Sequence, residues 1–418
     1  MSSLIRKLEE SDIPSFVEIA INAYPGTMQN TPEFKERLST IITTQQEKEK
    51  SIEFYGIFRE GKLVGGMRIH YFKMNLYSKM IEVGGVGLVA VDLLHKKEKV
   101  AKDLISYFIQ HFANRDASLV ALYPFRPDFY KKMGFGYGTK INHYQIEPSS
   151  FPARGSKEGL VFLNQTHKEL VKECYNQYAY STHGMMLKSD HDVETMFKHP
   201  DNKMVGYLNG DKLEGYLLFS FKKMSDTNFV HNNLVIKEMI YQNPEALSEL
   251  STFLNSQNDQ ISRIELTTQD DAVEFFIDDP RNGSNRLIPS VYHESNSAGV
   301  GLMYRIIHFD KFIEQLSEHS FKHQTVKLAI NIIDNFVEEN SRRVVINFHE
   351  GKAAIIQGDK ADVDITIDIS DLSSLLMGAI RFQKLYQYGR VEVSKVEKVS
   401  EIDRLFSNMP KPLCTTAF

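Results

Sequence analysis

The sequence predicts an α+β fold, in which two copies of one unit are followed by a third, smaller α+β domain. Its 418 residues exceed the ~250–300 residues at which a single hydrophobic core usually stops growing, so two or three domains are expected. An internal repeat at a fixed offset indicates the two copies. A change of pattern after about residue 300 indicates the third domain.

The internal repeat relates residues 56–66, GIFREGKLVGG, to residues 206–216, GYLNGDKLEGY, at an offset of 150. Each segment has two apolar runs around a short polar turn with glycine, which predicts a β-hairpin. A buried strand and a helix follow each hairpin in the same order, starting with EVGGVGLVAV in the first copy and NNLVIKEMIYQ in the second. The shared order and spacing indicate two copies of one α+β unit.

Each copy has one well-supported helix after its strand. In the second copy, Pro244 occupies the predicted first helical position, and an apolar face follows it. In the first copy, the apolar residues fall on one helical face: Val100, Ala101, Leu104, Ile105, Phe108, Ile109 and Phe112.

The third domain has its own pattern of strands and helix. Residues 342–356 predict a hairpin that turns at residues 350–352, and residues 362–370 alternate strictly, as in a strand with one buried face. A helix is predicted through DLSSLLMGAIRFQKLY, with Ser370 as its cap. The apolar stripes of this domain favour a plain core over a lipid-binding cavity.

Composition and spacing exclude several function classes. The chain has 49 basic and 54 acidic residues, which gives a net charge of -5, and it has no long block of one charge sign. This distribution argues against a nucleic-acid binder, which would need a basic face. The two cysteines indicate neither a disulfide framework nor a thiolate zinc site, and they suit a reducing cytoplasm. No apolar run reaches the ~18 residues of a membrane span. Signatures for metallohydrolases, P-loop enzymes and serine hydrolases do not occur.

A basic corner distinguishes the first copy from the second. Lysines 96, 97, 99 and 102 surround the predicted helix start, where free N–H groups and the helix dipole favour an anion. The second copy has Pro244 and Glu245 at this corner, so it is predicted to be inactive. A solvated lysine face is the alternative interpretation. Cations at a helix N-terminus without an anion are mildly unfavourable, which favours the anion site.

The basic corner, the helix and the later segment DFYKKMGFGYG together resemble the acetyl-CoA-binding half of the GCN5-related N-acetyltransferases (GNAT). The whole chain resembles the enhanced intracellular survival (Eis) family of that superfamily. This resemblance implies tandem GNAT folds followed by a sterol-carrier-protein-like α+β domain. The implied divisions are an active N-terminal domain at 1–148, a degenerate central domain at 149–298 and a C-terminal domain at 299–418.

The resemblance also implies a cofactor site for acetyl-CoA, with no metal. The backbone of Val89, Ala90 and Val91 corresponds to the strand that binds the pantetheine arm, and Phe125 and Arg126 correspond to a later cofactor-contacting pair. Lys99 stands where the family pattern usually has glycine. The positions that correspond to the pyrophosphate loop are Lys97, Glu98, Lys99, Val100, Ala101 and Lys102.

Two catalytic groups are implied by the same resemblance. Tyr130 corresponds to the general acid, and a phenol with an ordinary pKa near ~10 is a suitable proton donor to a departing thiolate of pKa ~8.5. The C-terminal carboxylate of Phe418 corresponds to the general base. The chain ends in PKPLCTTAF, and such an apolar end is compatible with a docked terminus, whereas an ordinary terminus is polar and ragged. Plain packing of Phe418 is the alternative.

The predicted function is acetyl transfer from acetyl-CoA to a primary amine of a small molecule, with aminoglycosides as one candidate, or of a lysine side chain. The resemblance further implies a homo-hexamer, and neither nucleic acid nor membrane is an expected partner. The alternative is a non-catalytic protein that binds an apolar ligand in the C-terminal domain, with the acetyltransferase domains as scaffold. Lys99 and the inactive second copy favour that alternative.

Overall fold

The computed structural model describes residues 3–229, 231–317, 319–322 and 324–418. In it the chain divides into two compact units. The first unit comprises the residues up to Gly138, residues 302–411 and the last two residues, and the second comprises residues 139–301 and 412–416. The first unit therefore combines most of the predicted first copy with most of the predicted third domain.

The N-terminal part of the first unit contains both helices and strands. Its helices are α1 (Ile13–Ala23), α2 (Pro32–Lys48), α3 (Val100–Ala113) and α4 (Pro127–Lys131). Its strands are β1 (Ser3–Lys7), β2 (Ile52–Arg59), β3 (Lys62–Leu76), β4 (Lys79–Val91), β5 (Leu119–Leu122) and β6 (Gly136–Tyr137).

The second unit repeats the hairpin, strand and helix of the first. Its helices are α5 (Lys168–Ser181), α6 (Asp190–Lys198) and α7 (Pro244–Asn255). Its strands are β7 (Ile141–Ile146), β8 (Leu160–Phe162), β9 (Lys203–Asn209), β10 (Lys212–Lys223), β11 (Asn232–Tyr241), β12 (Ile261–Thr268) and β13 (Asn296–Gly299). These strands form one sheet in the order β13-β7-β12-β11-β10-β9-β8.

The C-terminal part of the first unit has its own sheet. Its helices are α8 (Phe309–Gln315), α9 (Ile369–Leu376), α10 (Phe382–Gln387) and α11 (Val399–Leu405). The strands after residue 302 are β14 (Met303–Ile306), β15 (Val326–Ile333), β16 (Arg342–His349), β17 (Lys352–Ile356), β18 (Val363–Asp368) and β19 (Val391–Val393). The last five of these strands form the sheet, in the order β17-β16-β15-β18-β19.

The sheet that carries the candidate site has the order β1-β2-β3-β4-β5-β14-β6. Helix α3 packs on one face of this sheet through Leu104, Phe108 and Phe112. Helices α1 and α2 contribute Phe16 and Ile42, respectively, to a separate core. Strand β14 pairs antiparallel with both β5 and β6. Strand β14 thus lies in the predicted third domain, after the boundary at residue 298, but pairs in the first sheet. Strand β7 lies in the predicted first domain, before the boundary at residue 148, but pairs in the sheet of the second unit. The domain limits themselves stay predictions.

Most predicted elements are confirmed. Both repeated hairpins form, α3 begins at Val100, and α7 begins at Pro244. The hairpin in the third domain turns at residues 350–352 as predicted. Within the described residues, no helix is both long and apolar enough to span a bilayer.

One prediction for the third domain was wrong. The helix expected through residues 371–386 ends at Leu376, because Gly378 adopts a φ of +73° and a separate helix, α10, follows. Its cap is Asp368, whose side chain accepts a hydrogen bond from the backbone N–H of Ser370 at 2.8 Å. Ser370 therefore lies inside the helix rather than at its cap.

Candidate active site

The two central parallel strands of the first sheet pair over only part of their length. Val83–Val86 of β4 pairs with Leu119–Leu122 of β5, and β5 ends there while β4 continues to Val91. On its other edge, this last part of β4 pairs with β3 through Gly66 and Gly65. The edge of β4 that includes the predicted cofactor-binding residues Val89, Ala90 and Val91 is therefore free of β5. Such an edge can bind an extended ligand by backbone hydrogen bonds.

A β-bulge lies directly before this open edge. Gly66 pairs with Ala90 and Arg68 pairs with Gly87, so Leu88 and Val89 of β4 lie opposite the single residue Met67 of β3. Leu88 has a φ of +48°. The Tyr24 hydroxyl of the chain segment after α1 donates a hydrogen bond to the Val89 carbonyl at 2.9 Å. A bulge redirects backbone groups out of the ladder, which makes this a suitable place for polar contacts to a reacting group.

The predicted pyrophosphate loop adopts a conformation that glycine favours, although it contains lysines. Lys97 has a φ of +67° and Lys99, which directly precedes α3, has a φ of +63°. Both side chains are exposed. A left-handed conformation costs a residue with a Cβ about 1–2 kcal/mol. The loop thus keeps the backbone shape expected of the family's glycine at the position of Lys99.

The remaining loop residues have different environments. The Glu98 carboxylate accepts a hydrogen bond from Nη1 of Arg59 at 2.9 Å, so the acidic group in the loop is paired. Val100 is buried and Ala101 is half-buried. Lys102 is exposed, and its Nζ lies 5.3 Å from the centroid of the Phe336 ring.

The later predicted cofactor-contacting pair lies just before α4. Phe125 is 62 % exposed, and its ring is perpendicular to that of Tyr130 at a centroid distance of 5.7 Å. Arg126 pairs with Asp128, with its Nη2 2.6 Å from the carboxylate. An exposed aromatic ring offers a surface for a ligand to stack on.

Tyr130 is a buried phenol on α4. Only 2 % of the residue is exposed, and its ring contacts those of Phe125, Phe129 and Phe135. Burial raises the pKa of Tyr130 well above its ordinary value, and the nearby Tyr24 adds a smaller increase. The phenol therefore stays protonated at neutral pH and can donate a proton.

The C-terminal carboxyl group lies on the opposite face of β4 from α3. A Cβ built on Gly87 would lie 2.9 Å from the carboxyl carbon of Phe418, whereas a Cβ on Gly84 would overlap the Phe112 ring of α3. The Phe418 ring packs against Phe72 at 4.9 Å and against Tyr123 at 5.2 Å between centroids. The apolar end of the chain is therefore docked on the sheet, and the absence of a side chain at Gly87 leaves room for the carboxyl group.

Sequence reasoning missed two residues of this face, Arg68 and His70. Arg68 pairs across the ladder with Gly87, and His70 pairs with Gly85. A Cβ on Gly87 would lie 3.5 Å from Nη2 of Arg68, so this guanidinium lies close to the Phe418 carboxyl group. The available signal was the alternation in MRIHYF, where two polar residues of a central strand share one face.

The second unit has a buried ion pair at the corresponding part of its repeat. Glu238 of β11 stands at the repeat offset of 150 from Leu88, and its carboxylate lies 2.7 Å from Nζ of Lys188. The hydroxyls of Tyr216 and Thr415 also donate hydrogen bonds to this carboxylate, at 2.5 and 3.2 Å. The carboxylate is thus satisfied within the unit, as in a structural network.

Comparison with protein-family models divides the chain into three matched segments. Residues 4–138 and residues 184–306 each match an acetyltransferase (GNAT) domain. Residues 309–415 match a sterol carrier protein domain. No curated protein sequence matches the chain.

Solved structures share the whole fold at low sequence identity. The GCN5-related N-acetyltransferase from Anabaena variabilis is 18 % identical with a TM-score of 0.81, and that from Kribbella flavida is 15 % identical with a TM-score of 0.76. Eis1 from Mycobacterium abscessus is 17 % identical with a TM-score of 0.76. Each likeness covers 100 % of this chain and 100 % of the other. At these identities, the likeness establishes the common fold.

Proposed function

Because this chain belongs to the GNAT acetyltransferases, with the domain order and fold of the Eis family, we propose that its first unit transfers an acetyl group from acetyl-CoA to a primary amine. The amine belongs to a small molecule or to a lysine side chain. Tyr130 acts as general acid and the Phe418 carboxylate acts as general base. The observation that carries this proposal is the docked carboxyl group beside Gly87, on the strand that also offers the open edge.

Acetyl-CoA would bind along the open edge of β4. The backbone of Val89, Ala90 and Val91 would hydrogen-bond the pantetheine arm, and the N–H groups at the start of α3 would receive the pyrophosphate. Lys97, Lys99 and Lys102 would add positive charge at that end, while Phe125 and Arg126 would contact the cofactor from the other side. GNAT domains use acetyl-CoA as cosubstrate, which supports this assignment.

The reaction would proceed by direct transfer. The neutral amine attacks the thioester carbonyl carbon, and the C–N bond forms as the carbonyl oxygen becomes negative near the bulge at Leu88. The nitrogen becomes cationic, and the Phe418 carboxylate accepts its proton. The C–S bond then breaks, the carbonyl reforms as an amide, and the departing thiolate takes the proton of the Tyr130 hydroxyl.

The first test uses the whole chain in two steps. Acetyl-CoA at about 100 times its Kd should stabilise the protein by about 2.7 kcal/mol, measured as a rise in Tm. An enzyme whose Phe418 ends in a carboxamide, made by ligation, should bind acetyl-CoA equally well but lose about 100-fold or more in kcat. The control is an enzyme with a tag at the N-terminus, which leaves the Phe418 carboxylate unchanged and should keep full activity. Full activity of the carboxamide enzyme would remove the terminal carboxylate from the mechanism.

The apolar-ligand alternative has less support than catalysis. A cavity between α4 and the C-terminal sheet is lined by charged and polar groups, among them Lys131, Asp334, Asp368 and Arg390. Such a lining does not suit an apolar ligand. This alternative stays a prediction, as do the hexamer, which mass photometry would test, and the cytoplasmic location.

A further inference from the structure

One face of β3 and β4 brings a cation and an imidazole next to the C-terminal carboxyl group. Arg68, His70 and Phe72 share this face of β3. Gly87 and Gly85 lie opposite the first two on β4. The Phe418 carboxyl group and the rings of Phe72 and Phe418 occupy the space that side chains at these two positions would fill. The ring of Phe418 covers part of this face, 5.5 Å from the His70 ring.

The buried part of the Arg68 guanidinium is not fully hydrogen-bonded within the described residues. Its Nε atom is buried and has no hydrogen-bond partner among the described residues. Burial lowers the pKa of Arg68, and the nearby Tyr24 has a smaller raising effect. A guanidinium has five N–H donors in a planar fork that suits a carboxylate or a phosphate. The Nε–H of Arg68 is therefore a buried donor that an anionic ligand would satisfy.

His70 adds a second buried polar group without a partner. It is 6 % exposed, and within the described part of the chain its Nε2 atom makes no hydrogen bond. The ring is held in place by stacking on Phe72, with centroids 5.2 Å apart and planes 8° apart. Burial, and to a smaller extent Arg68, lowers the pKa of His70, so the imidazole is neutral. A neutral imidazole can still donate one hydrogen bond to an anion.

On this face the positive charge of Arg68 is matched by the negative charge of the Phe418 carboxylate. The Phe418 carboxylate and the Arg68 guanidinium approach the same point above Gly87. Glu53 of β2 pairs instead with Lys7 and accepts a hydrogen bond from the Tyr71 hydroxyl. Tyr71 lies between His70 and Phe72 in β3, so its side chain is on the opposite face of the strand. A ligand with one positive and one negative group complements this pair of charges, whereas Arg68 would repel a polycation.

We propose that the acceptor is a small zwitterion, whose carboxylate or phosphate binds Arg68 and His70 while its amine faces the Phe418 carboxylate. This inference rests on the proposed function and names its substrate class. Both charged groups of the ligand would be matched, so the amine would be oriented toward the reacting carbonyl. Aminoglycosides, which carry several amines and no acidic group, would be poor acceptors.

The test compares matched acceptor pairs with the complete enzyme. Phenylalanine is paired with phenethylamine, lysine with cadaverine, and phosphoethanolamine with ethanolamine, and kanamycin is added as a polycation. The acidic member of at least one pair should have a kcat/KM roughly 10-fold or more above its partner, since a charged hydrogen bond is lost without the acid. The three pairs also distinguish a carboxylate from a phosphate. Equal or better use of the acid-free amines would overturn the proposal.

Variants assign the selectivity to Arg68. Arg68→Gln should raise KM for the acidic acceptor by roughly 10- to 100-fold and change that of its acid-free partner by less than about 2-fold. Arg68→Lys should keep part of the selectivity because it keeps the charge. Arg115→Gln removes an exposed charge near the Tyr71 ring and should change nothing. An equal loss of kcat for all acceptors in Arg68→Gln would mean that Arg68 positions the Phe418 carboxylate, and would overturn the proposal.

Failure of the proposed function gives a different result. If the wild-type enzyme acetylates no amine, the proposed function fails, and calorimetric binding of the same pairs decides the present proposal. Binding of phenylalanine or phosphoethanolamine that exceeds that of its partner and weakens roughly 10-fold in Arg68→Gln supports a zwitterion site. Equal binding of both members, or no binding of either, rejects it. Circular dichroism verifies that each variant is folded.

Discussion

Gly134 and Arg305 share one space in the first unit. Nη1 of Arg305 donates a hydrogen bond to the Met133 carbonyl at 2.6 Å, and a Cβ on Gly134 would overlap this guanidinium. Arg305 is fully buried, and its Nη2 lies 2.5 Å from the carboxylate of the equally buried Asp334. The glycine-rich corner after Tyr130 is therefore shaped by a buried ion pair from distant parts of the chain.

Gly134→Ala should destabilise the protein by about 3 kcal/mol, because it combines a strained backbone with a clash. Gly134 has a φ of +79° and Gly61 has a φ of +77°, but a Cβ on Gly61 would meet no atom within 4 Å. Gly61→Ala is thus a matched control that should cost only about 1 kcal/mol. Urea unfolding measures both. Equal losses would mean that Arg305 moves aside without penalty.

Gly87→Ala should reduce catalysis with little change in stability. The new Cβ would lie 2.9 Å from the carboxyl carbon of Phe418, and a chain end can move away more easily than a packed core. We expect kcat to fall on the order of 10²-fold, as for a displaced catalytic group, with an unchanged Kd for acetyl-CoA. Gly299→Ala, where a Cβ meets nothing within 4 Å, is the control. Unchanged kcat in Gly87→Ala would contradict the role of the carboxylate.

Lys99→Gly should stabilise the protein by about 0.5–1 kcal/mol, because glycine relieves the left-handed conformation but loses more entropy on folding. The Kd for acetyl-CoA should change by less than about 3-fold, since backbone N–H groups make the main contact. Lys96 has a φ of -65°, so Lys96→Gly removes a neighbouring charge without relieving strain and should be mildly destabilising. Thermal unfolding and calorimetric titration with acetyl-CoA test the pair. A stability gain in Lys96→Gly alone would refute the strain argument.

Tyr130→Phe should lower kcat by about 10²–10⁴-fold, because the thiolate would leave without its proton donor. The ring contacts with Phe125 and Phe129 would remain, so we expect the Tm and the Kd for acetyl-CoA to stay the same. Tyr137→Phe, on an exposed tyrosine of β6, is the matched control. Wild-type turnover in Tyr130→Phe would assign the proton to another group.

The pH profile should lack a falling limb near the ordinary tyrosine pKa of ~10. Burial raises the pKa of Tyr130, so its phenol stays protonated, and competent as an acid, above that pH. We expect kcat/KM to rise as the acceptor amine loses its proton and then to level off. A falling limb at pH ~10 that is absent in Tyr130→Phe would show that the phenol ionises like a free tyrosine.

Local patterns in the sequence predicted the elements that local rules determine. The hairpins at the repeat offset, the start of α3 at Val100 and the start of α7 at Pro244 all follow from periodicity and turn chemistry. The third-domain helix was predicted too long, because apolar periodicity continues past Gly378 although its backbone turns left-handed there. Periodicity alone does not detect such a break.

Long-range features could not be predicted from local patterns. The insertion of β14 between β5 and β6 depends on a pairing partner far along the chain. The burial of Arg305 depends on Asp334 and on the Met133 carbonyl, which the sequence does not mark as neighbours. Alternation places Arg68 and His70 on one face of β3, but the Phe418 carboxyl group above that face comes from a distant part of the chain. A candidate site assembled from a chain terminus has no sequence motif that identifies its partners.

The position of β14 has a consequence for biosynthesis. Ribosomes add residues from the N-terminus, at about 5–20 per second, so β5 and β6 emerge well before Met303–Ile306. During this interval the apolar edge of β5, Leu119–Leu122, lacks the neighbour that completes the sheet. The nascent N-terminal domain must therefore wait for β14 until residues 139–301, the main part of the second unit, have been synthesised. An exposed strand edge is a site for aggregation or chaperone binding.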